Sequence, residues 1–367
     1  VSEKTGIAWT DSTWNVVTGC TKISQGCAHC YAELTAARLQ RMGSKRYRDG
    51  FAVRFHPDVL REPMKWRAPR RIFVCSMADL FHKDVTDRQR AAIWCVMASR
   101  PDHTFQVLTK RAQEMKRWFS WLEEMATKAA DVFPEDHQNW RRAHVLRAAA
   151  IDFGIAVPDY AFLEDQGWPL RNVEVGVTVE NEEQAEARLL YLMACPAAVR
   201  FASLEPLLED VDLTPWLDER PGCDGGAPHE DCEQCYPATR KLDWAIVGGE
   251  SGPDARPMHP DWVRSVRDQC HAAMVPVFLK QWGAYRPKAA GEHYTGKLWG
   301  VLDRDGDWFP QTTPWNGNVG EDSETGEVRM VGSETPHALL EIDGKTWAQF
   351  PLDAGEFIGT DGEVHSL

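Results

Sequence analysis

Residues 173–181 read Val-Glu-Val-Gly-Val-Thr-Val-Glu-Asn, and residues 182–193 continue as Glu-Glu-Gln-Ala-Glu-Ala-Arg-Leu-Leu-Tyr-Leu-Met. The first stretch is a short apolar run that stops at a polar pair, which predicts a buried strand. The second has helical spacing and opens at Asn181, a good N-cap. A strand that runs straight into a helix is the unit of a parallel α/β sheet with right-handed crossovers.

The same rhythm recurs along the chain. Apolar runs at 14–17, 71–75, 104–108, 199–202, 244–247 and 276–279 each end in polar or glycine residues. Helical patterns occupy 31–42, 87–99, 181–193 and 260–273. Seven such strands predict an α/β fold, a partial or complete (β/α) barrel, in which residues at strand C-termini form the active site. The expected organisation is a barrel over 1–285, interrupted by a charged helical insertion at 118–171 and a Cys/His-rich insertion at 209–241. A β-rich appendage at 286–367 follows.

With 367 residues, the chain is long enough for two ordinary domains or one barrel with insertions. Its 43% hydrophobic and 26% charged content excludes wholesale disorder. The formal charge of -14 argues against a broad basic coat for nucleic acid but leaves room for one local basic groove. No apolar run reaches the ~18 residues of a membrane span, and no secretory signal opens the chain. The initiator Met is absent, as in a processed or trimmed chain. A reducing cytoplasm is the expected location, where ten cysteines are read as metal or cluster ligands before disulfides.

Cys20, Cys27 and Cys30 follow the first expected strand at C-x6-C-x2-C spacing, flanked by Gly19 and Gly26, which permit a tight wrap. Three thiolates can hold three irons of a [4Fe–4S] cluster and leave the fourth open to a small molecule. Zinc with His29 as a fourth ligand competes, although adjacent ligands at 29 and 30 strain one tetrahedral site. Ordinary buried cysteines are the third reading.

The segments IAWTDSTWNVVTGC, GCAHCYAE, RIFVCSMADLFHKDV, QVLTKR, VGVTVEN, RFASLEPLL, DWAIVGGESGPDARPMHPDWVRSVRDQC and VPVFLKQWG resemble a phage and prophage family of radical S-adenosylmethionine (SAM) proteins with a widened three-cysteine loop. They span about residues 7–283, outside the two insertions. The commonest radical SAM loop is C-x3-C-x2-C, so the first gap here is longer. The resemblance implies a partial barrel, a cluster on Cys20, Cys27 and Cys30, and SAM chelated at the open iron. One electron then cleaves the sulfonium, and a 5′-deoxyadenosyl radical abstracts hydrogen from substrate. For a phage-encoded chain, the cytoplasm is the host's.

Further candidates sit at the other strand ends. Tyr31 resembles the aromatic residue that lies near the SAM adenine, or packs the first helix. Ser76 and Asp79 suit the SAM ammonium or ribose, although Asp79 also suits a helix cap. His82 lies on the same segment. Thr109, Lys110 and Arg111 offer charge for a carboxylate or phosphate. Thr178, Glu180 and Asn181 suit ribose hydroxyls, and Glu205 precedes a proline at the expected barrel mouth. Gly248, Gly249 and Glu250 resemble the GGE element that holds the SAM amino group, but that element normally follows the second strand, so contact with substrate is the alternative. Arg256, His259, Lys280 and Gln281 complete the set.

Cys223, His229, Cys232 and Cys235 form a second motif, C-x8-C-x2-C with a histidine between. Zinc, an auxiliary Fe–S cluster and unliganded thiols all remain open there. Cys75, Cys95, Cys195 and Cys270 read as small core residues.

Together these features predict a radical SAM enzyme, with an electron donor as partner and no membrane. Its expected substrate is a modified nucleobase, for example hypermodified thymine in phage DNA undergoing isomerisation or rearrangement. Such an enzyme needs a local Lys/Arg groove near the Cys20 loop. The alternatives are a radical SAM enzyme on a free small molecule and a non-catalytic, zinc-stabilised nucleic-acid-binding protein. Some of the sixteen tryptophans can serve as base-stacking platforms, but most should pack the core.

Overall fold

Strand β1 (Ser12–Trp14) begins a sheet whose strands follow one another in chain order. The others are β2 (Arg71–Val74), β3 (Thr104–Thr109), β4 (Val173–Thr178), β5 (Val199–Leu204), β6 (Trp244–Gly248) and β7 (Val277–Gln281). This is a computed structural model that describes residues 5–129, 138–156, 167–218, 241–287, 299–303, 305–311, 328–332, 340–351, 356–358 and 364–366. The helices are α1 (Tyr31–Arg41), α2 (Asp87–Ala98), α3 (Ala112–Lys128), α4 (Gln138–Asp152), α5 (Glu182–Met193) and α6 (Pro260–Ala272). The α/β class and the seven-stranded sheet agree with the sequence pattern.

The chain divides into two compact units. The first comprises residues 1–23, 32–177 and 190–200; the second comprises 24–31, 178–189 and 201–367. In the first, β1–β2, β2–β3 and β3–β4 pair in parallel. Helix α2 starts at a capping box: Thr86 accepts from the Gln89 amide while Gln89 returns a bond to Thr86. Helix α3 buries Met115, Trp118, Phe119, Leu122 and Ala126, a spacing that places them on one face. Trp118 is fully buried and lies 4.3 Å from the Trp94 ring. The expected insertion boundary at 118 therefore falls inside a core helix, because charged neighbours mask its apolar stripe.

The first strand also differs from expectation. Residues 14–17 do not continue as one strand: β1 ends at Trp14, and Val17 and Thr18 pair antiparallel with Phe55 and Arg54. Asn15 makes the break. Its side-chain oxygen accepts from Ser76 Oγ (3.1 Å) and the Met77 amide (3.0 Å), which ties the exit of β1 to that of β2.

In the second unit β5, β6 and β7 pair in parallel. The tail contributes an antiparallel sheet of Tyr285–Pro287, Val328–Gly332, Trp299–Leu302 and Trp308–Gln311 around Leu302, Val328 and Met330. Its later part joins the main sheet. Leu279 donates to Trp347 O (2.7 Å), Gln349 donates to Val277 O (3.2 Å), and Phe278 bridges Ala348 in antiparallel sense. Residues 347–349 thus cover an edge of β7 that would otherwise expose unpaired amides. The buried Trp244 indole donates to Gln349 O at 2.9 Å, and Phe350 packs on Trp244 and Phe278.

Candidate functional site

In the first unit, Gly19 turns the chain beyond the Val17–Thr18 pair at φ +85°. A Cβ there would stand 2.2 Å from Ala52 O, so the turn needs glycine. Cys20 follows, half-buried, with its amide donating to Phe51 O at 3.2 Å. Arg111, just beyond β3, donates from Nη1 to Cys20 Sγ at 3.3 Å and to Asp79 Oδ2 at 3.0 Å. Its Nη2 donates to Thr21 O (2.8 Å) and Thr21 Oγ1 (3.0 Å).

Asp79 is also bonded by Thr109 Oγ1 (2.7 Å), the Lys110 amide (3.1 Å) and the Phe81 amide (2.9 Å). It holds Arg111 and does not cap α2, a role taken by Thr86. His82 Nδ1 accepts from the Asp84 amide (3.2 Å), which leaves Nε2 to donate to Thr21 Oγ1 (2.9 Å). Burial, then Arg111, holds the His82 pKa below its ordinary value. Burial raises the Cys20 thiol above its ordinary 9.0 and Asp79 adds to the rise, while Arg111 opposes it.

In the second unit, residues 24–27 lie against Glu180 and Arg256. Ser24 Oγ donates to Glu180 Oε1 and lies 3.8 Å from Cys27 Sγ. A Cβ on Gly26 would meet Glu180 Oε1 at 2.9 Å, so the loop lies directly against this carboxylate. Glu180 is fully buried and paired with buried Arg188 at 2.7 Å, and Arg188 also donates to Thr178 O at 2.7 Å. Asn181 caps α5 by accepting from the Gln184 amide at 3.0 Å. Arg256 donates to both Glu250 oxygens and, at 3.0 Å, to Gln25 O. The cysteine loop is therefore held at Ser24 by Glu180 and at Gln25 by Arg256.

Glu205 pairs with Lys280 and accepts from Gln281 Nε2 at 3.2 Å. Gln281 also donates to Gly249 O at 3.0 Å. A Cβ on Gly249 would stand 2.0 Å from Trp282 O, whereas one on Gly248 would stand 3.2 Å from Glu205. Backbone packing accounts for Gly249 without a ligand. His259 caps α6 by accepting from the Asp261 amide at 3.1 Å. Tyr31, at the start of α1, is 51% exposed and is not a core residue.

A common plan emerges. Four carboxylates beyond strand C-termini each carry their own cation: Asp79–Arg111 in the first unit, and Glu180–Arg188, Glu205–Lys280 and Glu250–Arg256 in the second. Sequence reading located the carboxylates but missed Asn15, Thr21, Ser24 and Arg188. Arg188 reads as an ordinary helix-surface cation and gives no sequence signal. Ser24 lies between Cys20 and Cys27, in the six-residue gap of the motif.

Cys20 belongs to the first unit, and Cys27 and Cys30 to the second. All three are half-buried free thiols, soft donors suited to iron–sulfur ligation. Among the described residues, no three His, Cys, Asp or Glu side chains converge as a single-ion site requires. Cluster thiolates each take a separate iron and are not gathered in that way. Cys75, Cys95, Cys195 and Cys270 are buried, and burial pushes Cys75, Cys95 and Cys270 up to about 12. Cys223, His229, Cys232 and Cys235 lie outside the described residues.

Residues 4–351 match a family model described as a protein of unknown function, DUF5131. The chain belongs to this family. No curated protein and no solved structure matches the DUF5131 chain significantly. Among its described residues, no helix is long and apolar enough to cross a membrane.

Proposed function

We propose that this DUF5131 chain is a radical SAM enzyme with a partial (β/α) barrel, acting on a modified nucleobase. The observation that carries the reading is the three-cysteine loop, C-x6-C-x2-C, which begins six residues beyond the first strand of a sheet whose successive strands follow chain order. Cys20, Cys27 and Cys30 would hold a [4Fe–4S] cluster, which supplies the electron for reductive cleavage of SAM.

The chain's own residues support this in distinct ways. Arg111 places a fixed N–H at the Cys20 sulfur, the kind of hydrogen bond that tunes a cluster's potential. Asp79, held by three further donors, prevents Arg111 from swinging away. Glu180 and Arg256 fix the backbone on which Cys27 and Cys30 ride. The strand-end carboxylates are already paired with cations, which preserves local charge balance, and Glu205, whose bonds from Lys280 and Gln281 both fall on Oε1, keeps Oε2 to accept from a polar ligand.

The substrate half of the proposal is isomerisation or rearrangement of a decorated thymine in phage DNA, in the host cytoplasm, with an external electron donor. The test is anaerobic reconstitution with iron and sulfide, then addition of dithionite and SAM. A brown protein that forms 5′-deoxyadenosine supports the proposal. A folded, zinc-loaded protein that takes up no cluster rejects it.

A further inference from the structure

The chain carries a formal charge of -14, yet residues 38–71 hold eleven Lys and Arg against three Asp and Glu, a local net charge of +8. The rest of the molecule is therefore at -22, by difference between those two charges. All of this basic stretch belongs to the first unit. Arg38 and Arg41 stand nearly one turn apart on α1, and Lys45 follows in the next short turn. Arg38, Arg41, Lys45, Arg48, Arg61, Lys65 and Arg67 are exposed. Among the described residues, Arg38, Arg41, Lys45, Arg61 and Arg67 form no ion pair.

The stretch is tied directly to the Cys20 turn. Thr18 pairs with Arg54 across two short strands. Cys20 N donates to Phe51 O at 3.2 Å, and Arg46 donates to Asn15 O at 3.4 Å. Gln40 Nε2 donates to Arg48 O at 3.0 Å, which fastens the segment back onto α1. Solvated cations without partners contribute little to folding. Clustered at a local charge of +8, they repel one another and attract polyanions to this part of an otherwise acidic chain.

We infer that Arg38, Arg41 and Lys45, on the segment tied to the Cys20 turn, form a phosphate-backbone contact surface, so that the substrate base is presented within a DNA strand and not as a free nucleotide. This rests on the nucleobase reading above and assigns the surface that holds its DNA. The contacts neutralise phosphates and carry no sequence information. Base recognition falls to other residues.

The test is fluorescence anisotropy with a labelled 20-base-pair duplex across a salt series. Wild type should bind with an affinity that falls linearly on a log–log plot, with a slope of about 0.9 per neutralised phosphate. The triple variant Arg38→Gln, Arg41→Gln, Lys45→Gln should lower that slope by about 2.7 and weaken binding on the order of a hundredfold at ~0.1 M salt. A control triple, Lys116→Gln, Lys128→Gln, Lys345→Gln, removes equal charge elsewhere and should weaken binding far less. Equal losses in both triples, an unchanged first triple, or binding to phosphatidylserine vesicles in place of the duplex would each overturn the inference. Iron content of the wild-type preparation is read separately. A cluster without this surface effect refutes only the inference, and the surface effect without a cluster refutes only the radical SAM reading.

Discussion

The guanidinium of Arg111 donates to the sulfur of Cys20 at 3.3 Å while Asp79 and Thr21 hold its other hydrogens. Partners of metal ligands typically change metal affinity 10–100-fold when removed. With Cys20 as a ligand of the proposed cluster, Arg111→Gln should lose iron 10–100-fold more readily than wild type during chelator challenge, with unchanged far-UV circular dichroism. Equal iron retention would show that the Arg111 contact is incidental.

Glu180 and Arg188 are both buried, so removing one partner strands the other's charge. Glu180→Ala should lower unfolding free energy by about 3–5 kcal/mol in a urea titration. The double variant Glu180→Ala, Arg188→Ala should be less destabilised than the sum of the singles. Additive losses would contradict direct coupling of the pair.

Gly249 faces Trp282 O, and main chain cannot yield as a side chain can. Gly249→Ala should cost about 1–3 kcal/mol or more of stability. Gly248→Ala meets only the Glu205 side chain and should cost less. The reverse order, measured by thermal denaturation, would indicate that Gly249 answers to a ligand and not to backbone packing.

Glu174 and Gln106 sit opposite each other on β4 and β3, with Gln106 donating to the carboxylate at 3.0 Å. Burial pushes the Glu174 carboxyl up to about 7 from an ordinary 4.5. The folded state thus binds the proton more tightly than the unfolded state. The stability it contributes is fully present below pH ~4.5 and is lost as pH rises through ~7. Over that window, the loss is about 3 kcal/mol at most. Buried His56, His82 and His103 have lowered pKa values, and their contributions run the opposite way, rising with pH. Comparison with Glu174→Gln isolates the carboxyl: the variant should gain stability over wild type at pH 8 and not at pH 4. A constant difference across that range would refute the raised pKa.

The sheet was legible because each strand is a short apolar run closed by polar residues, and β2 through β7 lie within two or three residues of the expected runs at either end. The first strand misled because Val16 and Val17 are as apolar as Trp14 although they leave the sheet. Their direction depends on the bonds of Asn15 with Ser76 and Met77, two partners distant in sequence. The edge cover at 347–349 was illegible for a similar reason: nothing in Trp-Ala-Gln announces pairing with β7. Strand-end carboxylates and three of their cations, Arg111, Arg256 and Lys280, could be found by position, whereas Arg188 and the pairing of each cation with its carboxylate could not. Arg188 comes from a helix and Lys280 from a distant strand, joined to Glu180 and Glu205 only by folding.

The most direct measurement is 5′-deoxyadenosine formation by anaerobically reconstituted protein given SAM and dithionite, with Cys20→Ala alongside. Wild type should show a cluster absorbance and form 5′-deoxyadenosine, and Cys20→Ala should lose both. A folded wild-type protein that binds neither cluster nor SAM, or a Cys20→Ala variant that cleaves SAM as well as wild type, would contradict the radical SAM assignment.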